Sequence, residues 1–279
     1  MLLCPVCHNP LDREAAGYRC AKGHAYDMAR SGYVNLLLPD DKHARVPGDN
    51  KLMVDARCRF LEKGYYAFLL DEVCAVARRF LQGRRAPALL DVGCGEGYYT
   101  LGLARCLHKP GTELHLTGID ISKIALDKAG KRFRAVENIL PPPELAVASA
   151  FHLPLPDASC DLLTNLFAPY CGDENWRVLR RGGGMLLVIP GENHLWELKE
   201  AVYDTPYKNE VKAFELDGFR LLEHRQVSKC LTICGEDVST LFRMTPYYYK
   251  TSRQGQERVE ILSKLEIQVV FELLCYEKI

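Results

Sequence analysis

The run Leu89-Leu90-Asp91-Val92-Gly93-Cys94-Gly95-Glu96-Gly97-Tyr98-Tyr99-Thr100 constrains this chain more than any other feature. Two apolar residues lead into an acid, and three glycines follow at every second position. This predicts a buried strand that breaks into a tight loop and opens a helix. Glycine tolerates positive φ and lets a ligand approach the backbone closely. Strand, glycine-rich turn and helix form the opening unit of a doubly wound α/β fold, whose ligands sit outside the C-terminal strand ends. The spacing is Asp-x-Gly-x-Gly-x-Gly rather than the phosphate-cradling G-x-G-x-x-G, and no Lys or Arg lies between Asp91 and Thr100. A ligand without phosphates suits such a loop. The plainer reading, a tight turn with no ligand, leaves the further signals downstream unexplained.

With 279 residues the chain is long enough for one large domain and a small module. Formal net charge is zero, so any nucleic-acid binding must use a local patch. Segment 51–86 is one candidate, with Lys51, Arg57, Arg59, Lys63, Arg78 and Arg79 among its basic residues. A solvated helix face explains such a run equally well. The twelve cysteines are mostly scattered in apolar stretches and do not form a secreted disulfide framework. The start, Met-Leu-Leu-Cys-Pro-Val-Cys, lacks the charged region and apolar core of a signal peptide. No apolar stretch approaches the ~18 residues of a membrane span. The expectation is a cytoplasmic protein with reduced thiols and no membrane partner.

Cys4-x-x-Cys7 and Cys20-x-x-x-His24 are separated by twelve residues. Two short ligand pairs with a hairpin-sized gap describe a Cys3His zinc site. Asp12 and Gly17 supply turns and Tyr18 a strand, so the chain can return the second pair to the first. Four protein donors leave no open coordination position, which makes the site structural. A module this small has little core, so metal binding supplies much of its stability. His8, beside Cys7, is a competing donor, and iron an alternative metal.

The zinc module spans residues 1–36. Residues 39–50 are polar and broken by Pro and Gly, which reads as a linker. Apolar spacing over 51–82 predicts two helices broken at Gly64, with Asp49 or Asn50 as cap. Beyond the glycine loop, expected elements are a helix at 99–107, a strand at 114–120, a helix at 122–134 capped by Ser122, strands at 144–149 and 160–166, and a helix at 173–180. Gly182-Gly183-Gly184 should then turn into a strand from Met185 to Ile189. A helix near 194–202, strands near 219–232 and 264–277, and a helical piece at 235–243 complete the chain. Alternating strands and helices imply a mostly parallel, doubly wound sheet.

The loop spacing resembles the S-adenosylmethionine (AdoMet) loop of Rossmann-like methyltransferases. Asp120, at the end of the second strand, suits a bidentate hydrogen bond to ribose hydroxyls, with Ile121 as a wall for adenine. Asp91, Gly93, Gly95 and Asp120 should converge on one crevice. Phe151 or His152 would line the adenine pocket or pack in the loop. Asn165-Leu166-Phe167-Ala168-Pro169-Tyr170 follows the fourth strand, where methyltransferases hold a substrate base. It is not the Asn-Pro-Pro-Tyr signature of exocyclic amine methylation, so ring-nitrogen or oxygen chemistry is the less strained reading.

Cys4-Pro5-x-Cys7, Cys20-x-x-x-His24, Gly32-Tyr33-Val34-Asn35, Pro47-Gly48-Asp49, Gly93-Cys94-Gly95-Glu96-Gly97, Pro190-Gly191, His194-Leu195 and Met244-Thr245-Pro246 together resemble the bacterial 23S ribosomal RNA guanine-N1 methyltransferases, over essentially the whole chain. The resemblance implies an α/β fold, a Rossmann-like doubly wound methyltransferase sheet with a small N-terminal zinc module. It implies residues 1–36 as an RNA-recognition module, 37–82 as linker and helices, and 83–279 as the methyltransferase domain. It implies AdoMet contacts at Tyr66, Gly95, Glu96 and His194, beside the general pattern of Asp91, Gly93, Gly97 and Asp120. It further implies methylation of guanine N1 in a 23S rRNA hairpin near the macrolide-binding exit tunnel, by a homodimer. Two rivals stand beside it: a small-molecule methyltransferase with an accessory zinc module, and a non-catalytic zinc-dependent RNA-binding protein. The residues name no general base. The Tyr247-Tyr248-Tyr249 run is either an RNA-stacking or a packing feature.

Overall fold

The computed structural model describes residues 2–38, 48–109, 111–211 and 214–279. Most of the 39–50 linker, and Pro47 of the Pro47-Gly48-Asp49 motif, lie outside the described residues.

Strands β5 (Ala88–Val92) and β8 (Cys160–Leu166) are short and buried on both faces. That pattern belongs to the centre of a parallel sheet, and both stand there. The sheet has eight strands in the order β10-β11-β9-β8-β5-β6-β7-β4, with β6 His115–Asp120, β7 Glu144–Val147, β9 Leu179–Pro190, β10 Phe219–Cys234, β11 Lys264–Lys278 and β4 Tyr33–Asn35. The six strands from β4 to β9 pair in parallel, and β11 and β10 are antiparallel. The chain runs β5-β6-β7 in one direction, then returns to lay β8 on the other side of β5. That switch point is where an open α/β sheet leaves its ligand crevice.

Alternate residues feed two cores. Leu89, Leu162 and Leu186 pack with α2 (Ala67–Phe80) and α3 (Tyr98–Leu107) on one face. Leu90, Leu163 and Leu187 face the other side, and there the N-terminal module joins the core through Leu2, Leu11 and Tyr18. The module is a three-stranded antiparallel sheet, β1 (Leu11–Arg13), β2 (Gly17–Cys20) and β3 (Ala25–Asp27). Its exit strand β4 adds to the large sheet as an edge, Val34 opposite Ala146.

Helix α1 (Lys51–Glu62) starts where the Asn50 side chain accepts from Met53 N–H, and Gly64 at φ +79° separates it from α2. Ser122 caps α4 (Lys123–Arg134) by accepting from Ala125 N–H. Two expectations need correction. Gly182–Gly184 do not precede a strand but lie within β9, because Cys160 pairs with Leu179 while Leu162 pairs with Gly184 and the extra residues bulge out. Gly184 is needed there because the Phe80 ring lies 2.5 Å from where its Cβ would be. After α6 (Trp196–Val202) and α7 (Glu236–Arg243), short helices α8 (Tyr247–Lys250) and α9 (Arg253–Glu260) were not anticipated. No helix among the described residues is long and apolar enough to cross a membrane.

Candidate functional site

The four expected metal ligands meet. Cys4 Sγ and Cys20 Sγ each lie 3.4 Å from His24 Nδ1, and Cys7 Sγ lies 3.6 Å from Cys20 Sγ. With Zn–S near 2.3 Å and Zn–N near 2.0 Å, tetrahedral donors stand roughly 3.5–3.8 Å apart, so the cluster fits zinc. The first knuckle closes through His8 N–H to the Cys4 carbonyl, with His8 at φ +56°, so His8 shapes the turn and is not in the cluster. The Tyr26 hydroxyl, 3.1 Å from Cys4 Sγ, supports the ligand from behind. Burial pushes the Cys4 thiol up, but hydrogen bonds from Tyr26 and the backbone of Cys7 and Val6 outweigh it and bring it to about 6.

The glycine loop is built from below. Asp91 is buried at the end of β5, and its two oxygens accept from Thr100 Oγ1 at 2.6 Å and Thr164 Oγ1 at 2.8 Å. Burial raises it to about 6 despite those hydroxyls. It ties β5, β8 and α3 together under the loop. Gly93, Gly95 and Gly97 all take positive φ. Gly93 is pressed on Ala168, where a Cβ would come within 2.2 Å. Gly97 caps α3 against Ala129. Above the loop, the Asp120 carboxylate accepts from Gly95 N–H at 2.9 Å and Ser122 N–H at 2.8 Å. Burial raises its pKa, against those two backbone donors. Glu96 is buried and accepts from Arg57 Nε at 2.7 Å.

Beside the loop is a cavity of about 370 Å³. It takes Tyr66 from the start of α2, Tyr99 from the first turn of α3, Phe167 after β8 and His194 after β9. Phe271 of β11 forms its floor, with the His194 ring 4.7 Å and the Tyr66 ring 5.2 Å away. His194 Nδ1 accepts from Val270 N–H, which leaves its proton on Nε2. Burial lowers its pKa to about 3, so it stays neutral and acts as a donor. The hydroxyls of Tyr66 and Tyr99 are buried without a partner among the described residues. Unmet donors of this kind mark a place where a polar ligand belongs. The loop and the cavity together therefore fit AdoMet.

The structure brings Tyr66 and His194 into one cavity and Gly95, Glu96 and Asp120 into the adjoining loop, whereas Asp91 and Gly97 serve the loop from beneath and beside it. Phe151 is exposed, and His152 faces a different cleft against the zinc module. Tyr247 is buried on the cavity wall and Tyr248 packs on Phe242, leaving Tyr249 half exposed. The basic run over 51–86 is divided among separate ion pairs, Lys63 with Asp237, Arg79 with Glu223 and Arg84 with Asp161. Arg57, read from the sequence only as one of the basic residues of segment 51–86, lies instead on the cavity wall. Its signal was placement: Met53, Arg57 and Leu61 recur at helical spacing, and all three line the cavity. Phe167 was quoted only within its motif; its φ of +61° is unusual for a bulky residue and turns its ring onto Phe271, 5.3 Å away.

Residues 2–45 match a family model described as RlmA, N-terminal, and residues 89–183 match one for a methyltransferase domain. A 23S rRNA (guanine(748)-N(1))-methyltransferase of Streptomyces fradiae is 37% identical over 202 residues, covering 72% of this chain and 67% of that protein. YxjB of Bacillus subtilis (strain 168) is 27% identical over 285 residues, covering 98% of this chain and 96% of that protein. The crystal structure of YcgJ from Bacillus subtilis shares the fold at a TM-score of 0.51 and 17% identity, over 75% of this chain and 98% of that one.

Proposed function

The chain belongs to the 23S rRNA (guanine-N1)-methyltransferases, and from that premise we propose that it methylates N1 of a guanine in a hairpin loop of 23S rRNA, near the macrolide-binding exit tunnel. The observation that carries this reading is the joining, in one chain and across one sheet, of a Cys3His cluster with a glycine loop tied through Glu96 to Arg57 on the cavity wall. Bound AdoMet supplies an electrophilic methyl group on a sulfonium.

The chain's own part is to position and to exclude water. Bound AdoMet would offer its methyl carbon to guanine N1, with the carbon–sulfur electron pair going to sulfur and the N1 proton passing to water, so the chain must hold nitrogen, carbon and sulfur in line. Holding three atoms in line supplies much of the rate. Glu96, Gly95 and Asp120 fix one side of the cofactor, and Tyr66 and His194 the other. His194 serves as a hydrogen-bond donor, since an imidazole held near a pKa of 3 takes no proton at neutral pH. Phe167, half exposed at the end of β8, offers a ring face to a loop base that has left its stack. The zinc module, tied to the far face of the sheet, supplies RNA contacts, and a homodimer frames the RNA between modules and catalytic domains.

The test is transfer from labelled AdoMet to undermethylated 23S rRNA, with the product mapped by reverse transcription. Methylation at N1 blocks Watson–Crick pairing, so a stop at one loop guanine is the expected result. Label in the RNA without a stop would place the methyl elsewhere than a pairing edge. AdoMet binding with no labelled RNA would return weight to a small-molecule substrate or a non-catalytic role.

A further inference from the structure

We propose that Arg57 and the hydroxyls of Tyr66 and Tyr99 form the carboxylate subsite of the cavity, and that they hold the α-amino-acid end of AdoMet. The inference rests on the AdoMet reading above and adds a charge-reading residue to it.

Arg57 is the one cation on the cavity wall among the described residues, since His194 is neutral. Its guanidinium is oriented by two acids: Nε donates to Glu96 Oε2 and Nη1 to Asp49 Oδ2. Asp49 is itself fixed, because its carbonyl accepts from Ser122 Oγ at 3.0 Å. That leaves Nη2 with no hydrogen bond among the described residues, 3.4 Å from where a Cβ on Gly95 would stand. A guanidinium aimed by two fixed partners and left with a free edge is arranged for an oxygen ligand. Tyr66 is 5% exposed, and its hydroxyl, like that of Tyr99, lacks a partner among the described residues. Among the described residues, three donors without an acceptor thus belong to residues that line one cavity.

The charges agree with this ligand class. Asp49, Glu96 and Arg57 together carry one net negative charge, and the Asp120 carboxylate stands beside them on Gly95 N–H. A carboxylate, an ammonium and a sulfonium give AdoMet one positive charge. Its carboxylate matches Arg57 and the two phenols, and its ammonium matches the acids on either side. The demethylated product has lost the sulfonium charge and is neutral overall, so it should bind less tightly than AdoMet.

The zinc-loaded full chain would be titrated calorimetrically with AdoMet, with decarboxylated AdoMet and with 5′-methylthioadenosine, which lacks the amino-acid end. Wild type should prefer AdoMet over the decarboxylated form by about 30-fold, the range of a charge-assisted hydrogen-bond pair. Arg57→Gln should abolish that preference while changing methylthioadenosine affinity less than about threefold. Tyr66→Phe, which removes only a hydroxyl, should weaken AdoMet by about fivefold and leave methylthioadenosine unchanged. Equal losses for all three ligands in Arg57→Gln, with no selective loss in Tyr66→Phe, would show a merely structural bridge and overturn the proposal. Unchanged AdoMet affinity with weakened binding of a hairpin RNA would assign Arg57 to an RNA phosphate and overturn it equally. Failure of wild type to bind any of the three would instead refute the AdoMet reading itself.

Discussion

At His194, burial has a consequence for stability as well as for the site. The folded imidazole is held near a pKa of 3, against 6.5 for an ordinary histidine. Between those values the unfolded chain binds a proton that the folded chain does not. Stability is therefore lost as pH falls from 6.5 toward 3. Asp91 runs the other way: raised from 3.8 to about 6, it gives stability that is full below 3.8 and is lost as pH rises through 6. The two effects oppose each other between roughly pH 4 and 6, so the wild-type profile alone separates neither. Comparing wild type with His194→Gln isolates one of them. From pH 7 to pH 5 the stability of wild type relative to the variant should fall by about 2 kcal/mol, read from urea midpoints. A difference that stays flat across this range would mean that His194 is solvated in the folded protein. The same residue shows a limit of reading from sequence. The glycines of the loop were legible because positive φ all but demands glycine. A lone histidine near a helix start carries no such signature, and only the resemblance pointed to it.

Gly130 illustrates the element scale. A glycine inside a helix costs about 1 kcal/mol relative to alanine, yet α4 carries one mid-helix. The reason is the turn that leaves the zinc module: a Cβ on Gly130 would stand 2.1 Å from the Ser31 carbonyl oxygen. Arg134, one turn later, donates to the Arg30 carbonyl and fixes the same turn. That turn delivers β4 to the sheet edge beside β7. Gly130→Ala should therefore destabilise by about 1–3 kcal/mol through overpacking, raise hydrogen exchange in β4, and leave zinc content unchanged. A variant more stable by the ~1 kcal/mol of helix propensity would show that the turn yields freely. Elements with a period, a break or a cap were legible: the break at Gly64, the Ser122 cap and the strand β8 all lie where the residues put them. The rest depends on tertiary pairing. A three-residue strand such as β4 has no periodicity, and its partner β7 is more than a hundred residues away in sequence. The early start of β9 follows from a bulge that a glycine triplet permits but does not announce. Helix α9 is too short and polar for its one buried apolar side chain, Val259, to mark a face.

Over the whole molecule, the zinc module and the cavity lie on opposite faces of one sheet. Leu2, Leu11 and Tyr18 of the module pack with Leu90 and Leu163, whereas Leu61, Tyr66, Leu195 and Phe271 around the cavity belong to the core of the other face. The module has little core of its own, and structural zinc sites of this type supply roughly 10–16 kcal/mol of binding energy. Its folding should therefore follow the metal, while the cavity should not. Stripping zinc with a chelator, or replacing Cys20 with Ser, should raise hydrogen exchange over residues 2–35 and along β7, where the parallel pairing with β4 is lost. Strands β5, β8, β9 and β11 should stay protected. AdoMet affinity should change by less than about threefold, since no ligand contact is removed, while methyl transfer to 23S rRNA should fall by about 100-fold or more as phosphate and base contacts are lost. The chain has no net charge to draw RNA in, so whatever the module contributes has no global field to replace it. If AdoMet affinity instead falls together with zinc content, the two faces unfold as one unit. The module is then a structural support for the sheet rather than the part that separates RNA recognition from cofactor binding.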